Sequence, residues 1–144
     1  MCKFSFYCCS SIYRELYARN IKEIEGLTNL IDKLQKRKLK LAIATTAPKE
    51  NRDFILEGIG LSDTFNIIVG DEDVIRGKPH PEVYLKAAEK LAIDPSKCVA
   101  FEDTPSGVES AKSAGMTVVA LTTSYTKEEL KEADIVIKDF SELL

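Results

Sequence analysis

From residue 26 to the C-terminus the chain alternates helix-like and strand-like segments with short connections. This order constrains the fold most, because strands joined through helices pair in parallel and need helices on their faces. "GLTNLIDKLQKRK" sets Leu27, Leu30, Ile31 and Leu34 at helical spacing, and "LKLAIAT" (39–45) reads as a buried strand. "PKENRDFILEGIG" follows, with Pro48 suited to a helix's first turn and Gly58 or Gly60 to its end. "FNIIVG" (65–70) is a second strand, "PEVYLKAAEKLAI" a helix opened by Pro81, and "CVAFED" a third strand. "TPSGVESAKSAGM" predicts a helix capped by Thr104 with Pro105 at its first position. "TVVAL" (117–121) and "ADIVI" (133–137) supply two more strands, and "TKEEL" between them predicts a capping-box helix start from Thr126 and Glu129. The expected architecture is an α/β doubly wound, Rossmann-like parallel sheet over 26–144. Residues 11–25 form a further amphipathic helix, and residues 1–10 stay unassigned.

The 144 residues are one domain's worth of chain, and 44% hydrophobic content is enough for a core. Twenty basic against 23 acidic residues leave a net charge of -3, with the basic residues scattered along helices. That distribution argues against nucleic acid or an anionic membrane as partner. Apolar runs such as "LAIA" and "ADIVI" are too short to span a bilayer. Cys2, Cys8, Cys9 and Cys98 match neither a zinc spacing nor a disulfide framework, and "MCKFSFYCCSS" is a poor signal-peptide core. A reducing, cytoplasmic setting is the expectation.

Ligands of doubly wound sheets bind beyond the carboxyl ends of the strands, so the residues after each apolar run are the ones to weigh. The first strand ends in Thr45 and Thr46, the second leads to "GKPHP" with Lys78, and the third ends in Glu102 and Asp103. Each has an ordinary structural reading: a turn hydroxyl, a solvated lysine, and acids that complement the dipole of the helix starting at Pro105. Adjacent carboxylates nevertheless raise each other's pKa unless a cation offsets them, and magnesium prefers oxygen ligands. Taken jointly, hydroxyl, ammonium and acid pair describe a site for a phosphate and a divalent cation.

Three phrases, "LAIATTAPKEN", "IVGDEDVIRGKPHPEVYLKAAEKL" and "CVAFEDTPSGVESAKSAGMTVVAL", closely resemble the haloacid dehalogenase-like hydrolases, within them the β-phosphoglucomutase-like group of sugar-phosphate phosphatases and mutases. The resemblance runs from about residue 26 to the end. It implies that Thr45 hydrogen-bonds the transferring phosphoryl and that Lys78 offsets charge on nucleophile and phosphate. Glu102 and Asp103 would position Mg2+, with Asp103 the direct ligand and Glu102 behind it. Thr46, Lys49 and Asn51 fall in a post-strand loop that commonly touches phosphate or substrate.

The chain departs from that pattern at its start. Family members use an aspartate on the first strand, in D-x-D-G, as phosphoryl acceptor, with the second aspartate as general acid and base. Before Thr45 the acids are Glu15, Glu23, Glu25 and Asp32, none of them at the end of an apolar run. Asp71-Glu72-Asp73 is a literal D-x-D, but it lacks the glycine and suits a helix N-terminus. The helix over 11–25 resembles the last helix of the family's cap, so the first strand and most of the helical cap are expected to be missing. "KFSFYCC" is the spare segment that could fill the first-strand slot, and exposed core edges make self-association an expectation. If it filled the slot, Cys8 or Cys9 would lie near the nucleophile's place and would still lack the second acid. Two readings follow. One is a magnesium-dependent phosphatase or phosphomutase acting on small phosphorylated sugars, and the other is a related fold that binds phosphate and magnesium without turnover. A receiver-type signalling domain is set aside, because its acids precede its Thr and Lys.

Overall fold

Gly26 adopts a left-handed conformation (φ 84°) and turns the chain into helix α1 (Leu27–Lys36). A Cβ there would lie 2.6 Å from the Ser141 backbone nitrogen, so conformation and close approach both require glycine. In the computed structural model, which describes residues 14–15 and 21–144, the order continues with β1 (Ala42–Ala44), α2 (Lys49–Gly58) and β2 (Ile67–Val69). Helix α3 (Glu82–Leu91), β3 (Val99–Glu102), α4 (Pro105–Ser113), β4 (Thr117–Leu121) and β5 (Ile135–Ile137) complete it, with 3-10 turns at Asp71–Asp73, Pro95–Lys97 and Phe140–Leu143. Residue 14 and residue 15 are helical; "KFSFYCC" lies outside the described residues.

Among the described residues all pairing is parallel and falls in two pieces: β1 with β2, and β3 with β4 and β5. Among the described residues no strand joins β1 to β3. That break falls where the family resemblance puts the first strand, between the strands ending at Thr45 and at Asp103.

Strand alternation sorts side chains onto two helical layers. Ala42, Ala44, Val69, Ala100, Val118 and Ala120 share a core with Val83, Ala87 and Ala88 of α3 and with Val108 and Ala111 of α4. The opposite residues, Val119, Leu121, Ile137 and Phe101, meet Leu30 of α1 and Phe140, whose ring stands edge-on to Phe101 at 5.3 Å. Ile31 turns instead toward Leu56 and Leu61, with Leu41, Ile43 and Ile68 packed around them. Small alanines on the α3/α4 face let those helices approach closely.

The helix expected over 11–25 does not extend through 21–25: residues 21–24 lack regular structure and 25–26 turn into α1 at the left-handed Gly26. Two further segments differ from the sequence expectation. The strand read over 39–45 pairs only at Ala42–Ala44, because β2 offers three partners and Leu39 is 53% exposed. The Thr126 start forms its capping bonds with Glu129 and one turn, Leu130 N–H to Thr126 C=O at 3.2 Å, but no helix follows. Leu130 is fully buried and Asp134 N–H must reach the Val118 carbonyl at 3.0 Å to start β5, which leaves no length for a second turn. Among the described residues, no helix is long and apolar enough to cross a membrane.

The loop carrying Lys78 is tied to α3. Glu82 accepts from the backbone N–H groups of Ile75 and Arg76, each at 3.0 Å, and Lys86 Nζ lies 3.2 Å from it. The Ile75 N–H foremost, then Lys86 and Arg76, hold the Glu82 carboxyl at about 2, below its ordinary 4.5. A carboxyl depressed in the folded state stabilises above its unfolded value, and that contribution is lost as pH falls through the folded one. Protection of the Ile75 and Arg76 amides from hydrogen exchange should therefore fall between pH 4.5 and about 2. Glu82→Gln should remove that pH dependence; an unchanged profile would refute the strap.

Candidate functional site at the sheet's carboxyl edge

Alternation along β3 places Glu102 on the same face as Ala100, over α3, so its carboxylate is buried at 7% exposure. Oε1 accepts from Lys78 Nζ and from the Tyr84 hydroxyl. Oε2 accepts from the Asp103 N–H at 3.3 Å and the Thr104 hydroxyl at 3.4 Å. Gly107, in the first turn of α4, makes room for it: a Cβ there would lie 1.9 Å from Oε2. Charge pairing together with hydrogen bonds to both oxygens is what makes burial of a carboxylate tolerable.

Lys78 joins the two sheets. Its ammonium also donates to the Ala44 carbonyl and to the Tyr84 oxygen, both at 3.3 Å. Thr45 N–H bonds the Val69 carbonyl on β2. Backbone polar groups alternate sides along a strand, so the Ala44 carbonyl points away from β2. One side chain thus links the edge of β1 opposite β2 to the end of β3. Burial, with the Glu102 charge adding to it, pushes the Tyr84 phenol far above its usual value, so the hydroxyl stays protonated.

Asp103 is half-buried and differently placed. Oδ2 accepts from the Thr123 and Ser124 hydroxyls in the loop after β4, each at 3.3 Å. Among the described residues Oδ1 receives no hydrogen bond and remains available. Thr104 caps α4 as expected, accepting from the Gly107 N–H at 3.1 Å, so the acids also lie at a helix N-terminus.

The Thr45 hydroxyl accepts from the Ala47 N–H at 3.0 Å, and among the described residues its proton has no acceptor. It borders a cavity of about 460 Å³ with Asn51 and Arg52, floored by Ile43, Ile55 and Leu56. Asn51 Oδ1 accepts from Arg14 Nη1 at 3.0 Å. Thr46 is exposed, and its methyl would meet a Cβ on Gly77 at 3.7 Å. Lys49 is bound up on the surface of α2 in an i,i+4 ion pair with Asp53, which holds the Asp53 carboxyl low. Asp71-Glu72-Asp73 form a 3-10 turn in which Asp73 accepts from the Gly70 N–H at 2.9 Å and pairs with Lys90, while Glu72 pairs with Arg52.

Lys78 and Glu102 thus meet directly, Asp103 adjoins them, and Thr45 follows the carbonyl that Lys78 holds. Tyr84, Thr123 and Ser124 were not singled out from sequence. Tyr84 looks like an ordinary core position of α3, and the two hydroxyls lie in a polar turn with no local signal. Among the described residues, no three His, Cys, Asp or Glu side chains cluster as a metal cage. One available carboxylate oxygen suits magnesium, which keeps waters and uses one or two carboxylates plus phosphate oxygens.

A family description, haloacid dehalogenase-like hydrolase, matches residues 5–121. The chain is 36% identical over 120 residues to validoxylamine A 7'-phosphate phosphatase of Streptomyces hygroscopicus subsp. limoneus, covering 83% of this chain and 56% of that protein. It is 31% identical over 120 residues to the beta-phosphoglucomutase of Bacillus subtilis, covering 83% and 51%. The crystal structure of CbbY from Rhodobacter sphaeroides with xylulose-(1,5)bisphosphate superposes with a TM-score of 0.85 at 27% identity, over 93% of this chain and 62% of that one. The chain spans about half the length of the curated relatives it matches. With the strand order, the carboxyl-edge residues and a match over most of its length in agreement, the chain belongs to the haloacid dehalogenase-like hydrolases, in their β-phosphoglucomutase-like group.

Proposed function

We propose that this chain carries the phosphate- and magnesium-binding part of a sugar-phosphate phosphatase or phosphomutase site. The observation that carries the reading is the part-buried Lys78–Glu102 pair, with Lys78 also bonded to the Ala44 carbonyl of β1 and Asp103 next along the chain from Glu102. Relatives described as a validoxylamine A 7'-phosphate phosphatase and a phosphorylated carbohydrates phosphatase support a small phosphorylated sugar as the ligand class.

Thr45 donates its hydroxyl proton to a phosphoryl oxygen, and Lys78 offsets phosphate charge from a fixed position. Asp103, steadied by the Thr123 and Ser124 hydroxyls, would hold the cation, while Glu102 acts through Lys78. Magnesium, when bound, neutralises charge on the phosphoryl oxygens. Thr46 and Asn51 border the ligand, and Lys49 reaches it only by leaving Asp53. The sequence given holds no D-x-D-G, so no residue is assigned as phosphoryl acceptor, and the reading for this chain is binding without turnover.

Phosphate binding measured by calorimetry should require magnesium and be lost with chelator. Asp103→Asn should weaken it on the order of a hundredfold in magnesium and leave the chelated sample unchanged. Magnesium-dependent release of phosphate from an aryl or hexose phosphate, abolished by Asp103→Ala, would instead establish turnover and overturn the non-catalytic reading.

A further inference from the structure

We propose that Tyr84 is a positioning residue for this site: its hydroxyl, accepting from Lys78 and donating to Glu102, holds the ammonium where phosphate needs it. The proposal rests on the functional reading above and extends it to α3, which the strand-edge residues do not include.

The buried face of α3 consists of Val83, Tyr84, Ala87 and Ala88. Tyr84 is 5% exposed, and its oxygen is the one side-chain polar atom on that face. Packing alone is served by phenylalanine, whereas a buried phenol needs a partner. Here it has two with opposite roles, Lys78 Nζ at 3.3 Å as donor and Glu102 Oε1 as acceptor. Lys78 ends a flexible four-carbon stem with three N–H donors, and Ala44, Tyr84 and Glu102 supply one acceptor each. An incoming phosphate oxygen takes over one of these bonds; the remaining two keep the charge at the sheet edge. Without the hydroxyl the lysine is held by one bond fewer and samples other rotamers.

The test compares wild type, Tyr84→Phe and Leu130→Val, the last perturbing the same core at a side chain with no polar atom. Two quantities are read: the NMR signal of the Lys78 side-chain ammonium without ligand, and the affinity for inorganic phosphate with magnesium. Tyr84→Phe should shift or broaden the ammonium signal and weaken phosphate binding roughly fivefold. Leu130→Val should alter thermal stability while both readouts stay at wild type. If Tyr84→Phe changes only thermal stability, the hydroxyl is a packing feature and the proposal is overturned. Failure of wild type to bind phosphate sinks the functional reading; separately, an ammonium signal unmoved by Tyr84→Phe overturns the positioning role whatever the ligand does.

Discussion

Lys78→Met is expected to destabilise the protein by about 3–5 kcal/mol, the range for removing one partner of a buried ion pair. The Glu102 side chain is 6% exposed and Lys78 14%, so water cannot readily replace the lost ammonium. The substitution also frees the Ala44 carbonyl and removes a polar link between two sheets that share no strand pairing among the described residues. Methionine keeps the length of the stem, so the loss reports the charge and its hydrogen bonds. Adding Glu102→Gln should recover most of the stability, since the amide oxygen still accepts from Tyr84 and no buried charge remains. Urea denaturation of the single and double variants measures both. A Lys78→Met variant within about 0.5 kcal/mol of wild type would show that the pair is solvated, as surface pairs are.

Gly107→Ala should be destabilising by about 1–3 kcal/mol, the range for overpacking a filled site, although alanine is the better helix former by about 1 kcal/mol. The new Cβ would lie 1.9 Å from Glu102 Oε2 and 2.1 Å from its Cδ, so the carboxylate has to move off Lys78 and Tyr84. Phosphate binding should fall with stability. The sign is expected to reverse in a Glu102→Ala background, where the space is empty and helix propensity alone remains. There the same change should stabilise by up to about 1 kcal/mol. Equal effects in the two backgrounds, by urea denaturation, would exclude Glu102 as the cause.

Much of the fold was legible because parallel α/β units write themselves locally. "TVVAL" is buried on both faces and gave β4 at its observed bounds, and Thr104-Pro105 marked the start of α4 without ambiguity. The residues 39–45 were read as one strand because apolar runs do not show how many partners exist, and only three pair. Thr126 and Glu129 carry a capping pattern that predicts a helix start, but the need to begin β5 at Asp134 cuts that helix to one turn. Residues Thr45, Lys78, Glu102 and Asp103 could be listed as strand-end groups, but their division of labour could not. Whether an acid at a strand end faces a lysine or open space depends on strand parity and on what the neighbouring helix presents.

The order of strands and of the main helices, and which residues follow each strand at the carboxyl edge, follow from the sequence alone, since period and capping are set by near neighbours. The tertiary structure alone decided that Glu102 is closed off by Lys78, Tyr84, Thr104 and the space at Gly107, while Asp103 turns to the Thr123 and Ser124 hydroxyls. Adjacent residues on a strand point to opposite faces, so two neighbouring carboxylates enter different surroundings. One meets segments 18 and 24 residues away in sequence, the other a loop 20 and 21 residues on, and contacts at that separation leave no local signature.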